Sequence, residues 1–146
     1  MKTLTVFVFL VLCAAVLRAQ DVPSTVVSAF QQRYAAAQHT VWDELEEGEF
    51  TATFVLGHAE MSARFSPAGE WLSATVYLEE SDVPSAVRNA VATQFPDYDM
   101  YDVVRVENPS AAFYEMTLES EEDALVVQVA TDGRILKKEI IAVDMD

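Results

Sequence analysis

Two histidines, His39 and His58, are the side chains of this 146-residue chain whose ordinary pKa suits general acid–base work near neutral pH. Neither has a partner at a spacing that would build a relay. A nucleophilic triad needs three converging groups, and the chain contains no G-x-S-x-G and no H-E-x-x-H. Four glycines leave little room for a phosphate-cradling loop. Both histidines therefore read as exposed polar residues, His39 at a helix–strand junction and His58 behind Gly57 at a hairpin tip. No catalytic residue and no cofactor follow from this set, and an enzyme is not expected.

Carboxylates offer a second chemistry. Asp97-Tyr98-Asp99-Met100-Tyr101-Asp102 opens with the D-x-D of a calcium loop. An EF-hand counted from Asp97 requires Gly at the sixth position and Glu at the twelfth. Asp102 and Asn108 stand there instead, so no dedicated metal site is expected, only weak surface binding of a cation. Asp43-Glu44-Leu45-Glu46-Glu47 and the run from Glu119 to Asp123 read as solvated hairpin charge. Asn108-Pro109-Ser110 is barred from N-glycosylation by its central proline.

A third group points to binding rather than reaction. From Trp71 to Leu78 the residues alternate, and Leu72, Ala74, Val76 and Leu78 fall on one face of a strand. Trp71, Ser73, Thr75 and Tyr77 fall on the other. Two large aromatics among hydroxyls are a common composition for a binding surface. The competing expectation is that Trp71 and Tyr77 pack at a sheet edge or beneath neighbouring structure.

The elements that must position these residues are written twice. Residues 21–30 read DVPSTVVSAF and residues 82–91 read DVPSAVRNAV, with six of ten positions identical at an offset of 61. Val22, Val26, Ala29, Phe30 and Tyr34 recur at helical spacing, as do Val83, Val87, Ala90, Val91 and Phe95. Pro23 and Pro84 suit the start of a helix, and Asp21 and Asp82 place negative charge ahead of it. Pro96 stops the second helix; Ala35 lacks that stop, so the first helix is expected to run longer.

Beyond each helix the period changes to two. Phe50, Ala52, Phe54 and Leu56 form one half-buried alternation, and Met61, Ala63 and Phe65 another. Pro67-Ala68-Gly69 turns into the strand of residues 71–78. The second copy gives strands at 99–107, 112–119, 124–131 and 135–143, with Asp132-Gly133 as a hairpin signal. The expected fold is α+β: a tandem pair of modules, each one helix and a four-stranded antiparallel sheet, the helices on one face. Module boundaries fall at 20–81 and 82–146, the two joined into one curved sheet and one domain with the opposite face open.

Residues 1–19 have the order of a secretory signal peptide: Lys2, an apolar run from Leu4 to Leu17 broken only by Thr5, and Leu17-Arg18-Ala19 as cleavage site. The run is too short to span a bilayer comfortably. Cleavage after Ala19 removes Cys13, the single cysteine, and leaves no thiol or disulfide. Losing Lys2 and Arg18 also leaves seven basic against 24 acidic residues, a formal charge of −17. Such a surface repels nucleic acid and anionic lipid and favours basic partners or cations.

Together these residues resemble the PepSY-like family of beta-lactamase-inhibitor-like secreted bacterial proteins. The resemblance is carried by V-P-S-x-V-x-x-A-F with Tyr34, by Val41-Trp42-Asp43, and by Gly48-Glu49-Phe50-Thr51-Ala52. Val83-Pro84, Phe95-Pro96-Asp97-Tyr98, Phe113-Tyr114-Glu115-Met116 and Asp132-Gly133-Arg134-Ile135-Leu136 complete it. It implies a bacterial envelope location, periplasmic or secreted, and no catalytic activity. No match to the family's inhibitory loop is present, so no inhibitor residue is carried over. The reading is a non-enzymatic protein- or peptide-binding protein, an inhibitor or modulator of an envelope enzyme, with Trp71, Ser73, Thr75 and Tyr77 as its surface. The alternative is an envelope protein that binds a small ligand or a divalent cation through Asp97, Asp99 and Asp102.

Overall fold

Each DVPS phrase becomes a helix start. In the computed structural model, which describes residues 21–143, α1 spans Ser24–Arg33 and α2 spans Ser85–Gln94. The carbonyl of Pro23 accepts from the N–H groups of Val26 and Val27, and that of Pro84 accepts from Val87 and Arg88. The proline thus sits where its own missing N–H leaves no bond unmade. The helices are equally long, against the expectation drawn from Ala35. Tyr34 (φ −126°) and Phe95 (φ −131°) leave helical geometry at the same point and turn their rings into the core. Burial of an aromatic ring ends both helices, and Pro96 is not needed for it.

The strands are β1 (Gln38–Glu44), β2 (Phe50–Leu56), β3 (Ala59–Phe65) and β4 (Trp71–Tyr77), then β5 (Asp99–Glu107), β6 (Ala112–Glu119), β7 (Asp123–Ala130) and β8 (Ile135–Val143). They form one eight-stranded sheet in the order β1 to β8, antiparallel at every step. This corrects the expected tandem pair of four-stranded modules. Ala74, Thr75, Val76 and Tyr77 pair with Glu107, Val106, Arg105 and Val104, so the sheet runs unbroken through β4 and β5. Separate sheets would leave two more rows of unpaired backbone donors and acceptors, and pairing removes them.

Register places both helices on the same face. Phe54, Ala52 and Phe50 of β2 share a face with Trp42, Ala63, Phe65 and Ala74. Val76 lies opposite Arg105, and Arg105 opposite Tyr114, so the same face continues into Met116, Leu118, Leu125 and Val127. Two buried clusters form on it, one around Val26 and Phe30 of α1, one around Val87 and Val91 of α2. Gly69 and Gly133 seat the β3–β4 and β7–β8 turns against the helices. Each has positive φ, and a Cβ there would lie 2.8 Å from a helix carbonyl, that of Thr25 or Ala86. Among the described residues, no polar or charged side chain is buried and no helix is long and apolar enough to cross a membrane. The expected signal peptide lies outside the described residues.

Candidate functional site: the helix-free face of the sheet

Alternation decides which side chains the helices leave uncovered, and a bulge changes the answer for one of them. Arg64 lies opposite Ser73, whereas Phe65 lies opposite Trp71, so β4 carries one extra residue at Leu72. A bulge of this kind re-aims the side chains on its two sides. Trp71 consequently shares the helix face with Phe65. Its indole N–H donates to the Tyr34 hydroxyl at 3.0 Å, and the Arg33 guanidinium lies 3.7 Å from its ring centroid. Of the four residues expected to act together, Ser73, Thr75 and Tyr77 share the helix-free face and Trp71 does not. Tyr77 is 52% exposed.

Three rows of directly opposed residues cross that face. The longest runs Val41, Thr53, Ser62, Thr75, Val106, Phe113, Ala130, from β1 to β7. A second runs Tyr77, Val104, Glu115, Gln128, Lys137. A third runs Asp43, Thr51, Arg64, Ser73. The β2–β4 side is thus rich in hydroxyls, while Val104, Val106 and Phe113 beside Tyr77 make an apolar centre on β5 and β6. These three residues escape the sequence reading because only the β4–β5 pairing brings them beside Tyr77. Their alternation with Val103, Arg105 and Tyr114 was the available signal.

Two ion pairs stand around this centre, and one half-buried hydrogen bond lies within its rows. Arg64 bonds Glu49, Gln128 donates to Glu115 at 2.9 Å, and Lys137 lies 3.5 Å from Glu139. Surface ion pairs such as the first and third contribute about 0–1 kcal/mol each. A partner can therefore compete for their charges at small cost. Such a face offers shape, hydroxyls and ring edges, components from which recognition surfaces are built.

The other sequence candidates lie apart from it. His58 occupies the β2–β3 turn, and His39 sits at the irregular start of β1 with φ 55°. Asp97 and Asp99 line an open groove of about 730 Å³ with Tyr98, Tyr101 and the Glu119–Glu122 turn. Asp102, at φ 49°, occupies the bulge of β5 and is not among the lining residues. Among the described residues, no three of His, Cys, Asp or Glu come together to hold a metal ion. In the groove, the Tyr98 hydroxyl donates to Asp123 Oδ1 at 2.6 Å. That bond to a carboxylate raises the phenol above its ordinary pKa, with desolvation adding to the shift.

Comparison with known proteins agrees with the fold. Residues 48–137 match the family model described as "Putative beta-lactamase-inhibitor-like, PepSY-like". No curated protein matches the chain. Among solved structures, a BLIP-like protein from Bacteroides fragilis is 20% identical, with a TM-score of 0.75, covering 85% of this chain and 89% of its own. A DUF2874 family protein from Bacteroides ovatus is also 20% identical at TM-score 0.75, covering 81% and 86%. A "putative periplasmic" protein from Bacteroides eggerthii is 22% identical at TM-score 0.73, covering 82% and 88%. At these identities the likeness is one of fold.

Proposed function

Because the chain belongs to the PepSY-like, beta-lactamase-inhibitor-like family, we propose that it is a non-enzymatic protein of the bacterial envelope that binds a protein or peptide across the helix-free face of its sheet. The carrying observation is the continuous set of rows on that face, with Tyr77, Val104, Val106 and Phe113 at its centre and weak charge pairs at its margin. An interface needs a desolvated apolar centre within a polar rim, and this face supplies both. The family description supports an inhibitor or modulator of an envelope enzyme as the specific role. Periplasmic or secreted placement is supported by the description of the Bacteroides eggerthii structure and by the signal-like order of residues 1–19.

The partner's margin is expected to be basic, given a formal charge of −15. Affinity capture from the envelope of the source bacterium tests the surface when wild type is compared with Tyr77→Ala and Thr75→Arg. Both variants change the helix-free face and leave the helix-side core untouched. A partner recovered with wild type and reduced at least tenfold with either variant is the expected result. Equal recovery by all three would remove this face as the binding surface.

A further inference from the structure

The two outer edges of the sheet differ in charge and share an unusual exposure of apolar side chains. Of the exposed large hydrophobic residues, Val41 and Leu45 lie on or just after β1, while Leu136, Ile140 and Ile141 lie on β8. On β8 the three are 51%, 57% and 53% exposed. Soluble edge strands are ordinarily kept short or charged, so that they do not pair with another chain. Here β8 is nine residues long, charged at Lys137, Lys138 and Glu139 and shifted in register at two points, yet it keeps these three apolar side chains exposed.

Charge completes the pattern. On and just before β8, Arg134, Lys137 and Lys138 outnumber Asp132 and Glu139, with which Arg134 and Lys137 pair, in a chain that has 24 acidic and nine basic residues in all. Beside β1, Asp43, Glu44, Glu46 and Glu47 concentrate acidic ones. Strand direction alternates at every step from β1 to β8, so the two edges run antiparallel. A second copy set alongside therefore brings its β1 against β8 in the same antiparallel sense as the rest of the sheet.

We propose that copies of this chain associate edge to edge, β8 of one against β1 of the next, continuing the sheet between molecules. Asp43 shares the helix-free face with Thr51, and Lys137 shares it with Gln128. Setting Asp43 opposite Lys137 of the neighbour keeps the helices of both copies on one side and pairs opposite charges. The contact is heterologous, so each copy retains a free edge for another. At physiological ionic strength, screening over about 8 Å limits repulsion between acidic bodies while a contact pair remains inside that length.

Two single substitutions test the arrangement by charge exchange. Asp43→Lys sets a lysine opposite the neighbour's Lys137, and Lys137→Glu sets a glutamate opposite the neighbour's Asp43; each protein alone is expected to lose association. Mixed in equal amounts, they regain it, because each supplies the edge the other needs. Sedimentation equilibrium of purified protein at physiological ionic strength reads the result, with thermal midpoints confirming that both variants fold. The expected outcome is a wild-type average mass that rises with concentration, at least tenfold weaker association for each variant, and recovery in the mixture. A monomeric wild type up to millimolar concentration, association indifferent to both substitutions, or a mixture that stays monomeric would each overturn the proposal.

Discussion

The two halves of the helix face solve one packing problem with different side chains. Under α1 the core is aromatic: the Phe30 ring lies 5.0–6.2 Å from the rings of Tyr34, Trp42, Phe54 and Phe65. Under α2 the matching position is Val91, and the cluster is mainly aliphatic: Val103, Met116, Leu118, Leu125, Val127 and Val129. The helix starts and the seating of Gly69 and Gly133 are nevertheless alike. Backbone geometry is therefore the shared part, and core chemistry is free to vary provided that the volume beneath each helix is filled.

Truncation within the two clusters should separate them most strongly. Phe30→Ala is expected to destabilise by about 3–5 kcal/mol, because it empties the centre of five rings. Val91→Ala removes far less volume and should cost about 1–2 kcal/mol. Urea unfolding of both variants checks the ratio, and equal losses would show that the aromatic cluster has no special weight. At the shared backbone feature the comparison should vanish. Gly69→Ala and Gly133→Ala are each expected to cost about 2–4 kcal/mol, since a side chain there meets both positive φ and a helix carbonyl. Markedly unequal losses would mean that the turns are not equivalent supports.

A smaller difference lies at the turn-to-strand corner. Trp71 holds Tyr34 by its indole N–H and carries Arg33 on its ring, whereas its counterpart Ile135 makes neither contact. Trp71→Phe should destabilise by about 1–2 kcal/mol through the lost bond and weaker cation–π contact. Ile135→Val should cost about 0.5–1 kcal/mol.

The smallest effects are those of pH. Hydrogen bonding to Asp123 raises the Tyr98 pKa, so its stabilisation is complete below the ordinary phenol range and is lost as pH climbs through the raised value. Asp132 behaves oppositely: bonds from the Arg134 backbone N–H, then from its guanidinium, lower its pKa. Its contribution is present above the usual carboxylate range and fades as pH falls through the lowered value. Phenol absorbance should show Tyr98 titrating at lower pH in Asp123→Ala than in wild type. An unchanged titration would remove the assigned cause.

Much of the helix side was legible in the sequence, because Val26, Phe30, Val87 and Val91 are fixed by a period that burial itself imposes. The two DVPS openings announced both helix starts, and Asp132-Gly133 announced its turn. That the two halves join in one sheet was expected, but the register of β4 on β5 was not legible, since pairing across an intervening helix leaves no local pattern. Without that register Val104, Val106 and Phe113 stayed hidden, and the repeat was divided into two modules where the strands form one unbroken run of eight. Trp71 was misplaced for another reason. Strict alternation carries no mark of a bulge, and one extra residue at Leu72 moves the indole to the opposite face.

The claim that the helix-free face is the binding surface is tested most directly by site-specific photocrosslinking in intact cells. Probes placed singly at Thr75 and Thr117 report on that face, and probes at Gln32 and Asn89 report on the exposed sides of α1 and α2. A discrete adduct of one partner from the sheet probes, absent from the helix probes, is the predicted result. Adducts from the helix probes alone, or equally from all four positions, would contradict it.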